Sequence, residues 1–329
     1  MRILVATAVP AERDAVARAL PGPTSEVRLP AATLHRYRAV GHDDGPLPSG
    51  HDDGALPSGH DDGPSAADPG HGSPAADPGH GSPAADPGHG SPAADPGHGS
   101  PAADPGHGSP AAGHGHGTPP DRRSAPSSGL DVDLLAAGVG PALAAASAAG
   151  ALTAAVLEGR PYGLVVSTGI AGGFLPEAPL GCLVLADEIT AADLGADTPD
   201  GFLPVTDLGF GTVTHHPPQD LVRAAAAATG ARTGTVLTVS TVTGSAERAA
   251  ALRARHPRAL AEAMEGFGVA EAAAAHTTPV LELRAVSNAV GPRDRAAWRI
   301  GDALTALTEA FGKLTPVLES WDPYEPYEP

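Results

Sequence analysis

Several residue types are scarce in this sequence, and each shortage excludes a class of protein. Cys182 is the single cysteine among 329 residues, so no disulfide can form within the chain, and a reducing compartment is expected. Lysine occurs once, and 38 acidic residues outnumber 20 basic ones. The formal net charge of −18 argues against a nucleic-acid binder, which needs a basic surface.

Long hydrophobic runs are missing as well. No stretch approaches the ~20 apolar residues that a membrane span needs. The N-terminal sequence MRILVATAVPAERDAV has too short an apolar run for a signal peptide and lacks a small-residue cleavage site. Together with the single cysteine, these features predict a cytoplasmic protein that has no membrane partner.

Residues 41–128 lack large aliphatic side chains except Leu47 and Leu56. They repeat two nine-residue units, GHDDGPLPS and PGHGSPAAD, and such a composition cannot bury enough apolar surface to offset the entropy of ordering. We therefore predict a disordered insert. Its flanks, Thr33–Val40 and Asp131–Ala137, are typical of strands, so we expect the insert to expand one strand-to-strand turn.

The insert leaves a different class of function open. It holds ten of the fifteen histidines and twelve aspartates, and both residue types are metal ligands. A metal-binding or interaction module is therefore an alternative. A nine-residue spacing provides no preformed tetrahedral site, however, because structural zinc sites use closer pairs. Repeat expansion in a tolerant loop is the simpler interpretation, and we predict neither a metal site nor a cofactor.

Outside the insert, apolar runs typical of buried strands alternate with helical patterns. This alternation predicts an α/β fold, a three-layer αβα sandwich with a central mixed β-sheet. We predict one domain formed by residues 1–40 and 129–315, followed by a loose Pro-rich tail at residues 316–329. Further predicted strands are Arg2–Ala8, Gly163–Thr168, Leu183–Ile189, Gly234–Ser240 and Val280–Val286, and predicted helices are Glu12–Leu20, Pro141–Leu157, Gln219–Thr229, Ser245–Arg253, Glu265–Ala275 and Asp294–Leu314.

Four sequence features fall at predicted strand ends, where ligands bind in open α/β sheets. They are Glu12, STGIAGG (167–173), AMEGFG (263–268) and SNAVGPRDRAAW (287–298). Each also has a local structural explanation, since acids suit helix N-termini and glycines and Ser-Asn suit turns. The glycine segment is not a Walker phosphate loop, because no Gly-Lys-Ser/Thr follows.

Taken in order, the four features resemble the purine nucleoside phosphorylase and nucleosidase superfamily. Its small glycine-containing segment matches residues 168–173, its ribose-binding Met-Glu pair matches Met264-Glu265, and its hydrolytic glutamate matches Glu12. The resemblance covers the chain outside residues 41–128 and the last few. Within the superfamily, RAVSNAVGPRDRAAWRIGDAL (284–304) is most similar to hydrolases of a 6-oxopurine nucleoside that carries an aromatic carboxylate on its 5′-extension.

This resemblance implies a nucleoside substrate, no cofactor and a homodimer or higher homo-oligomer. It also implies a role for each matching residue. Glu12 would activate water, and Asn288 would bind the departing base. The implied substrate-binding residues are Ile170, Ala171, Gly172, Met264, Glu265, Arg293, Arg295, Trp298 and Phe202.

Asn288 stands where adenine-directed nucleosidases of the superfamily have an aspartate. The carboxamide NH₂ can donate to O6 of a 6-oxopurine while the carbonyl accepts from N7–H. Adenine presents a donor at N6 instead, so Asn288 favours hypoxanthine as the leaving base. An adenine-releasing nucleosidase stays an alternative.

Arg293, Arg295 and Trp298 would suit an aromatic carboxylate on the 5′-group. The alternative is a solvated first helical turn in which Asp294 pairs with an arginine. Phe202 could line the same pocket, across a subunit interface in a dimer.

A phosphorylase is the nearest rival activity. Phosphorylases of this superfamily place an arginine just before the glycine segment, whereas this chain has Ser167-Thr168 there. A hydrolase that uses Glu12 fits the residues better.

Overall fold

The computed structural model describes residues 1–22, 25–38 and 129–322. The predicted insert and the last part of the predicted tail lie outside these ranges. The strands are β1 (Arg2–Thr7), β2 (Ser25–Arg28), β3 (Thr33–Tyr37), β4 (Asp131–Ala136), β5 (Leu164–Gly173), β6 (Leu183–Ala191), β7 (Gly195–Thr198), β8 (Gly201–Pro204), β9 (Thr214–His215), β10 (Arg232–Thr238), β11 (Ala259–Ala263) and β12 (Val280–Ala289). The helices are α1 (Pro10–Ala17), α2 (Pro141–Leu157), α3 (Gln219–Thr229), α4 (Ala246–Arg255), α5 (Gly266–Ala275) and α6 (Ile300–Ser320), and a 3₁₀ helix spans Arg295–Ala297.

Ten of these strands form one mixed sheet. The order is β11-β10-β6-β12-β5-β1-β4-β3-β2, with β9 paired to β6 and β11 paired also to β5. Strands β4, β1, β5 and β12 are parallel to one another, so their carboxyl ends lie at the same edge of the sheet. Strand β6 is antiparallel to β12, and β7 and β8 form a separate hairpin.

The residues of β1 show why helices cover both faces of the sheet. Ile3 and Val5 pack into a core shared with α3 and α6, whereas Leu4 and Ala6 pack into a core shared with α2 and α5. Successive strand residues point to opposite faces, and a strand apolar at every position needs cover on both. The predicted three-layer αβα sandwich with a mixed sheet is confirmed.

The strands that flank the insert are neighbours, as the sequence predicts. Strands β3 and β4 pair in antiparallel register, with Tyr37 opposite Val132. The insert therefore connects the end of β3 to the start of β4. Because β4 is parallel to β1, the end of β3 and the start of β4 lie at the opposite edge of the sheet from the end of β1.

Strand β5 continues further than predicted. We expected it to end at Thr168 before a glycine turn, but it stays extended to Gly173 and pairs there with β11 and β12. Its glycines make room for neighbouring side chains. A Cβ on Gly169 would lie 2.6 Å from Oε1 of Glu12 and 2.9 Å from Nη1 of Arg284.

The C-terminal helix differs from the prediction at both ends. Its first part is the separate 3₁₀ helix, and α6 begins only at Ile300. At the other end α6 includes Pro316 and continues to Ser320, so the prediction of a loose tail from residue 316 is wrong for its first five residues. The apolar face continues there, because Leu318 is buried and the Trp321 indole donates to Asp220 at 2.9 Å.

Candidate active site

A cavity of about 450 Å³ opens at the carboxyl ends of β1, β5, β11 and β12. It brings together residues that lie far apart in the sequence. Those from β1, β5 and β12 meet because parallel strands end at the same edge of a sheet, whereas β11 reaches this edge antiparallel to β5. Nine of the eleven predicted site residues line it: Glu12 and Asn288, then Ile170, Ala171 and Gly172, Met264 and Glu265, and Arg293 and Trp298.

Glu12 lies in the first turn of α1 and is 4% exposed. Its Oε2 accepts from the N–H groups of Ala8 at 3.0 Å and Val9 at 3.3 Å, and its Oε1 accepts from Ile170 N–H at 2.8 Å. Glu12 is therefore both a helix-start acid and a wall of the cavity. Burial raises the pKa of Glu12, against the opposing effects of the Ile170 N–H and the Arg284 charge.

Arg284 is a buried cation behind this wall, 1% exposed in β12. Its Nε donates to Glu282 at 2.8 Å, its Nη1 lies 3.4 Å from Oε2 of Glu265, and its Nη2 donates to Ser167 Oγ at 3.2 Å. Its charge also acts on Glu12. One guanidinium thus serves three buried carboxyl groups, and the acids outnumber the cations in this part of the site.

Glu282 is the least expected member of this group. It is fully buried, and its Oε2 has no hydrogen-bond partner among the described residues. A Cβ on Gly266 would collide with the Glu282 carboxylate, so the glycine after Glu265 makes room for it. Burial raises the pKa of Glu282, although Arg284 opposes the rise.

Asn288 lies at the end of β12, opposite Gly172 of β5. Its Oδ1 accepts from Ser287 Oγ at 2.8 Å, and its Nδ2 donates to the Ala289 carbonyl at 3.0 Å. These bonds leave one N–H of the amide available. A Cβ on Gly172 would lie 3.3 Å from Nδ2, so the glycine keeps the approach to the carboxamide open.

The residues predicted for the 5′-group separate into two sets. Arg293 and Trp298 line the cavity, and the Arg293 guanidinium lies 5.6 Å from the centroid of the Trp298 ring. Arg295 is exposed in the 3₁₀ helix and does not line it. Phe202 is on β8, where its ring packs 4.4 Å from the Arg255 guanidinium instead.

Two further acids were missed by sequence reasoning. Glu262 lines the cavity from β11, and Glu282 lies behind it on β12. The available signal for Glu282 was a pair of charged residues, Glu282 and Arg284, inside the otherwise apolar run VLELRAV (280–286). For Glu262 there was little signal, because ALAEA resembles a helix more than a strand.

Residues 1–22, 25–38 and 129–322 form no group of three or more His, Cys, Asp or Glu that could hold a metal ion. Nor does any helix in those ranges have the length and apolar character needed to cross a membrane.

Comparison with known families identifies the fold and its ancestry. The family model of the phosphorylase superfamily matches residues 123–318. The chain belongs to the phosphorylase superfamily. Solved structures with a similar fold include that of a methylthioadenosine/S-adenosylhomocysteine nucleosidase from Colwellia psychrerythraea in complex with adenine. It aligns at 17% identity and a TM-score of 0.60 over 97% of this chain and 96% of that one. A futalosine hydrolase mutant of Helicobacter pylori aligns at 12% identity and a TM-score of 0.59 over 96% and 99% of the two chains.

Curated relatives narrow the placement within the superfamily. A futalosine hydrolase of Streptomyces coelicolor is 57% identical over 325 residues, which cover 99% of this chain and all of that protein. A futalosine hydrolase of Thermus thermophilus is 36% identical over 166 residues, 49% of this chain and 73% of the relative. The hydrolases that residues 284–304 resemble are the futalosine hydrolases, and these relatives confirm the resemblance.

Proposed function

We propose that this protein hydrolyses the N-glycosidic bond of futalosine, releasing hypoxanthine and dehypoxanthine futalosine for menaquinone biosynthesis. The observation that carries the proposal is the convergence of Glu12, Glu265 and Asn288 on one cavity. The futalosine hydrolase of Streptomyces coelicolor, 57% identical over 99% of this chain, supports futalosine as the substrate.

Cleavage of the bond from N9 to C1′ builds positive charge on the ribose and negative charge on the base. Glu12 takes a proton from the attacking water, whose oxygen bonds to C1′. A raised pKa makes its carboxylate a stronger base. Glu265 accepts hydrogen bonds from the ribose hydroxyls and places negative charge beside the cationic sugar.

The departing base leaves with the electron pair of the broken bond and gains a proton at N7 from solvent, to which Glu12 returns the proton it took from the attacking water. Asn288 donates from its amide N–H to O6 and accepts from N7–H through its carbonyl. Ser287 Oγ donates to the Asn288 carbonyl oxygen at 2.8 Å. When the base binds, its N7–H either replaces Ser287 at that oxygen or becomes a second donor to it.

The charge around the ribose site favours water over phosphate as the nucleophile. A phosphorylase must attract a multiply charged anion. Here Glu12, Glu265 and Glu282 surround one guanidinium, and Arg284 already bonds to Glu282 and Ser167. The residues therefore support hydrolysis rather than phosphorolysis.

Arg293 and Trp298 form the wall for the 5′-extension of futalosine. The guanidinium pairs with the aromatic carboxylate, and the indole packs against its ring. Arg295, outside the cavity wall, has no such role.

Two further properties belong to the proposal. We place the enzyme in the cytoplasm, consistent with its single cysteine. We also expect a homodimer or higher homo-oligomer, because Leu203, Leu208 and Phe210 expose 40%, 42% and 69% of their surface around the β7–β8 hairpin.

The experiment is incubation with futalosine, inosine and methylthioadenosine in phosphate-free buffer, with release of the base followed by chromatography. We expect rapid release of hypoxanthine from futalosine and slower release of base from the other two. Turnover of methylthioadenosine at a rate equal to that of futalosine would favour an adenine-releasing nucleosidase instead.

A further inference from the structure

Glu282 is a buried acid to which the hydrolytic mechanism gives no part. It is fully buried on β12 and is not among the residues that line the cavity. One of its oxygens, Oε2, accepts no hydrogen bond from any residue that the structure describes, and leaving a buried polar atom unpaired costs stability. An apolar residue at this position of the sheet would avoid that cost. The acid therefore needs an explanation other than packing.

The contact of Glu282 that stands out is the one with Arg284, two residues later on the same face of the strand. Each of the three guanidinium nitrogens has its own partner: Nε donates to Glu282 at 2.8 Å, Nη2 donates to Ser167 Oγ at 3.2 Å, and Nη1 lies 3.4 Å from Glu265. Because Nε has one hydrogen and the guanidinium is planar, a partner at Nε fixes the directions in which Nη1 and Nη2 point. Glu282 makes the shortest of the three contacts and thus orients the cation.

The surroundings of Glu282 favour its charged form. Its carboxyl group lies against Gly266, the first residue of α5, where a Cβ would collide with it. The N-terminal end of a helix favours negative charge, and so does the Arg284 guanidinium. Both effects oppose the burial of the group, so Glu282 can hold Arg284 by charge as well as by a hydrogen bond.

Glu12 is close to the same guanidinium but is not paired with it. A Cβ on Gly169 would lie 2.6 Å from Oε1 of Glu12 and 2.9 Å from Nη1 of Arg284, so both atoms border one space. Within the described chain, however, the salt bridges of Arg284 go to Glu265 and Glu282. The three hydrogen bonds of Glu12 all come from backbone N–H groups. A direct ion pair with an arginine lowers the pKa of a carboxyl group and makes it a weaker base.

We propose that Glu282 is a positioning residue for the hydrolysis: by binding Nε of Arg284, it turns the guanidinium toward Glu265 and Ser167 and keeps it from pairing with Glu12. The inference rests on the proposed function, in which Glu12 takes a proton from water. Across the described residues, the charged groups that act on Glu12 are Arg284 and Glu265, and the same two act on Glu282. The position of one guanidinium therefore decides how strong a base Glu12 is.

Glu282→Gln tests the proposal. Gln keeps the size of the side chain but lacks the charge that holds Arg284, so the guanidinium should move toward Glu12. Carbon-13 NMR of the side-chain carboxyl groups in the substrate-free protein follows the titration of Glu12, whose signal is assigned by its loss in Glu12→Gln. We expect the Glu12 titration to move at least about half a pH unit lower than in the wild type. Turnover of futalosine should fall roughly tenfold, less than in Glu12→Gln.

The matched control is Asp133→Asn at the opposite end of the sheet. Asp133 is also buried, and it accepts from Nε of Arg2 at 3.2 Å, so this variant loses the same charge from the same kind of contact. It should be less stable than the wild type but keep the Glu12 titration and the kcat. If Glu282 had only a structural role, the two variants would behave alike.

An unchanged Glu12 titration in Glu282→Gln would overturn the inference, even if the variant is less stable. Failure of the wild type to release base from futalosine would refute the proposed function, whereas the titration needs no substrate and would still decide the role of Glu282. If Glu282→Gln does not fold, the wild type decides. Its Glu12 should titrate above ~4.3, the ordinary pKa of glutamate. A titration below that value would show that a guanidinium already pairs with Glu12 and would overturn the inference.

Discussion

The two ends of the central sheet each hold a group of ion pairs, and the two groups differ in charge balance. At the amino end of β1 and β4, ion pairs join three arginines to three carboxylates. At the carboxyl end, Arg284 alone serves three carboxylates. The amino-end group consists of Arg2, Arg36, Arg160, Asp131, Asp133 and Glu158.

The balanced group is built for stability. Asp133 accepts from Arg2 at 2.6 Å and from Tyr162 at 2.6 Å. Burial alone would raise the pKa of Glu158, but hydrogen bonds from Arg36 and Arg2 outweigh it and lower that pKa. Glu12 at the other end shifts in the opposite direction. Glu158, with matched cations, stabilises the fold, whereas burial makes the carboxylate of Glu12 a stronger base.

The largest effect we expect is loss of turnover in Glu12→Gln. Gln keeps the shape but cannot accept a proton from water, so kcat should fall by about 10²-fold or more. Steady-state release of hypoxanthine from futalosine measures it. The matched control at the balanced end is Glu158→Gln, which should keep nearly full turnover. Turnover of Glu12→Gln close to wild type would mean that Glu12 is only a helix-start acid.

Arg284→Met should lower both stability and activity. Removing the one cation leaves the carboxyl groups of Glu282 and Glu265 buried without an ion pair, which costs about 3–5 kcal/mol in the free energy of unfolding. Arg2→Met should cost less, because Asp133 keeps Tyr162 and Arg36 as partners, and the folded variant should keep its kcat. Urea unfolding and kinetics on both variants test this. A matching loss of kcat in Arg2→Met would show that the two ends are not functionally separate.

Arg293→Met should impair selectivity rather than chemistry. Loss of the guanidinium should lower kcat/KM for futalosine by about tenfold or more, because a charge-assisted pair to the 5′-carboxylate is lost. Inosine has no such carboxylate and should be affected little. Arg295→Met is the control two residues away. Equal losses for both substrates, or equal effects of both variants, would assign the arginines to structure.

As the pH is lowered, the two ends of the sheet should be affected at different pH values. Glu12 must be ionised to act as a base, and its pKa is raised, so kcat/KM should fall with decreasing pH at values above ~4.3, the ordinary pKa of glutamate. The lowered pKa of Glu158 stabilises the fold above the ordinary pKa, and that stability is lost as pH falls through the lowered value. Activity should therefore be lost before stability. Profiles of kcat/KM and of unfolding free energy that fall together would contradict this.

The smallest effect should come from the insert. It joins β3 to β4 at the edge opposite the cavity, where Tyr37 already faces Val132. Replacing residues 43–126 by a short Gly-Asn turn should leave turnover and melting temperature nearly unchanged. Kinetics and thermal unfolding of the shortened chain measure this, and a loss of activity above about tenfold would be inconsistent with a dispensable segment.

Sequence patterns predicted the layers of the fold better than its interior charges. Apolar runs such as that of β1 and the helix of Pro141–Leu157 depend on local periodicity, and the structure has them. Strand β11 was missed because Ala-rich ALAEA favours a helix, and only pairing with β10 and β5 makes it extended. That pairing is long-range, so no local pattern contains it.

The same reason limits prediction of the site. The predictions of Glu12, Met264-Glu265 and Asn288 came from the order of these motifs along the chain, which resembles that of the superfamily. Glu282 and Glu262 act through contacts to Gly266 and Thr243, and these depend on the folded chain. The charge excess at the carboxyl end is therefore visible only in three dimensions.

One measurement tests most directly whether this excess selects water as the nucleophile. Hypoxanthine release from futalosine is followed while inorganic phosphate is added to phosphate-free enzyme, and the sugar product is analysed for a phosphate ester. Our account predicts full turnover without phosphate, no acceleration by it, and only the free sugar product. Turnover that requires phosphate, with formation of a sugar 1-phosphate, would contradict it.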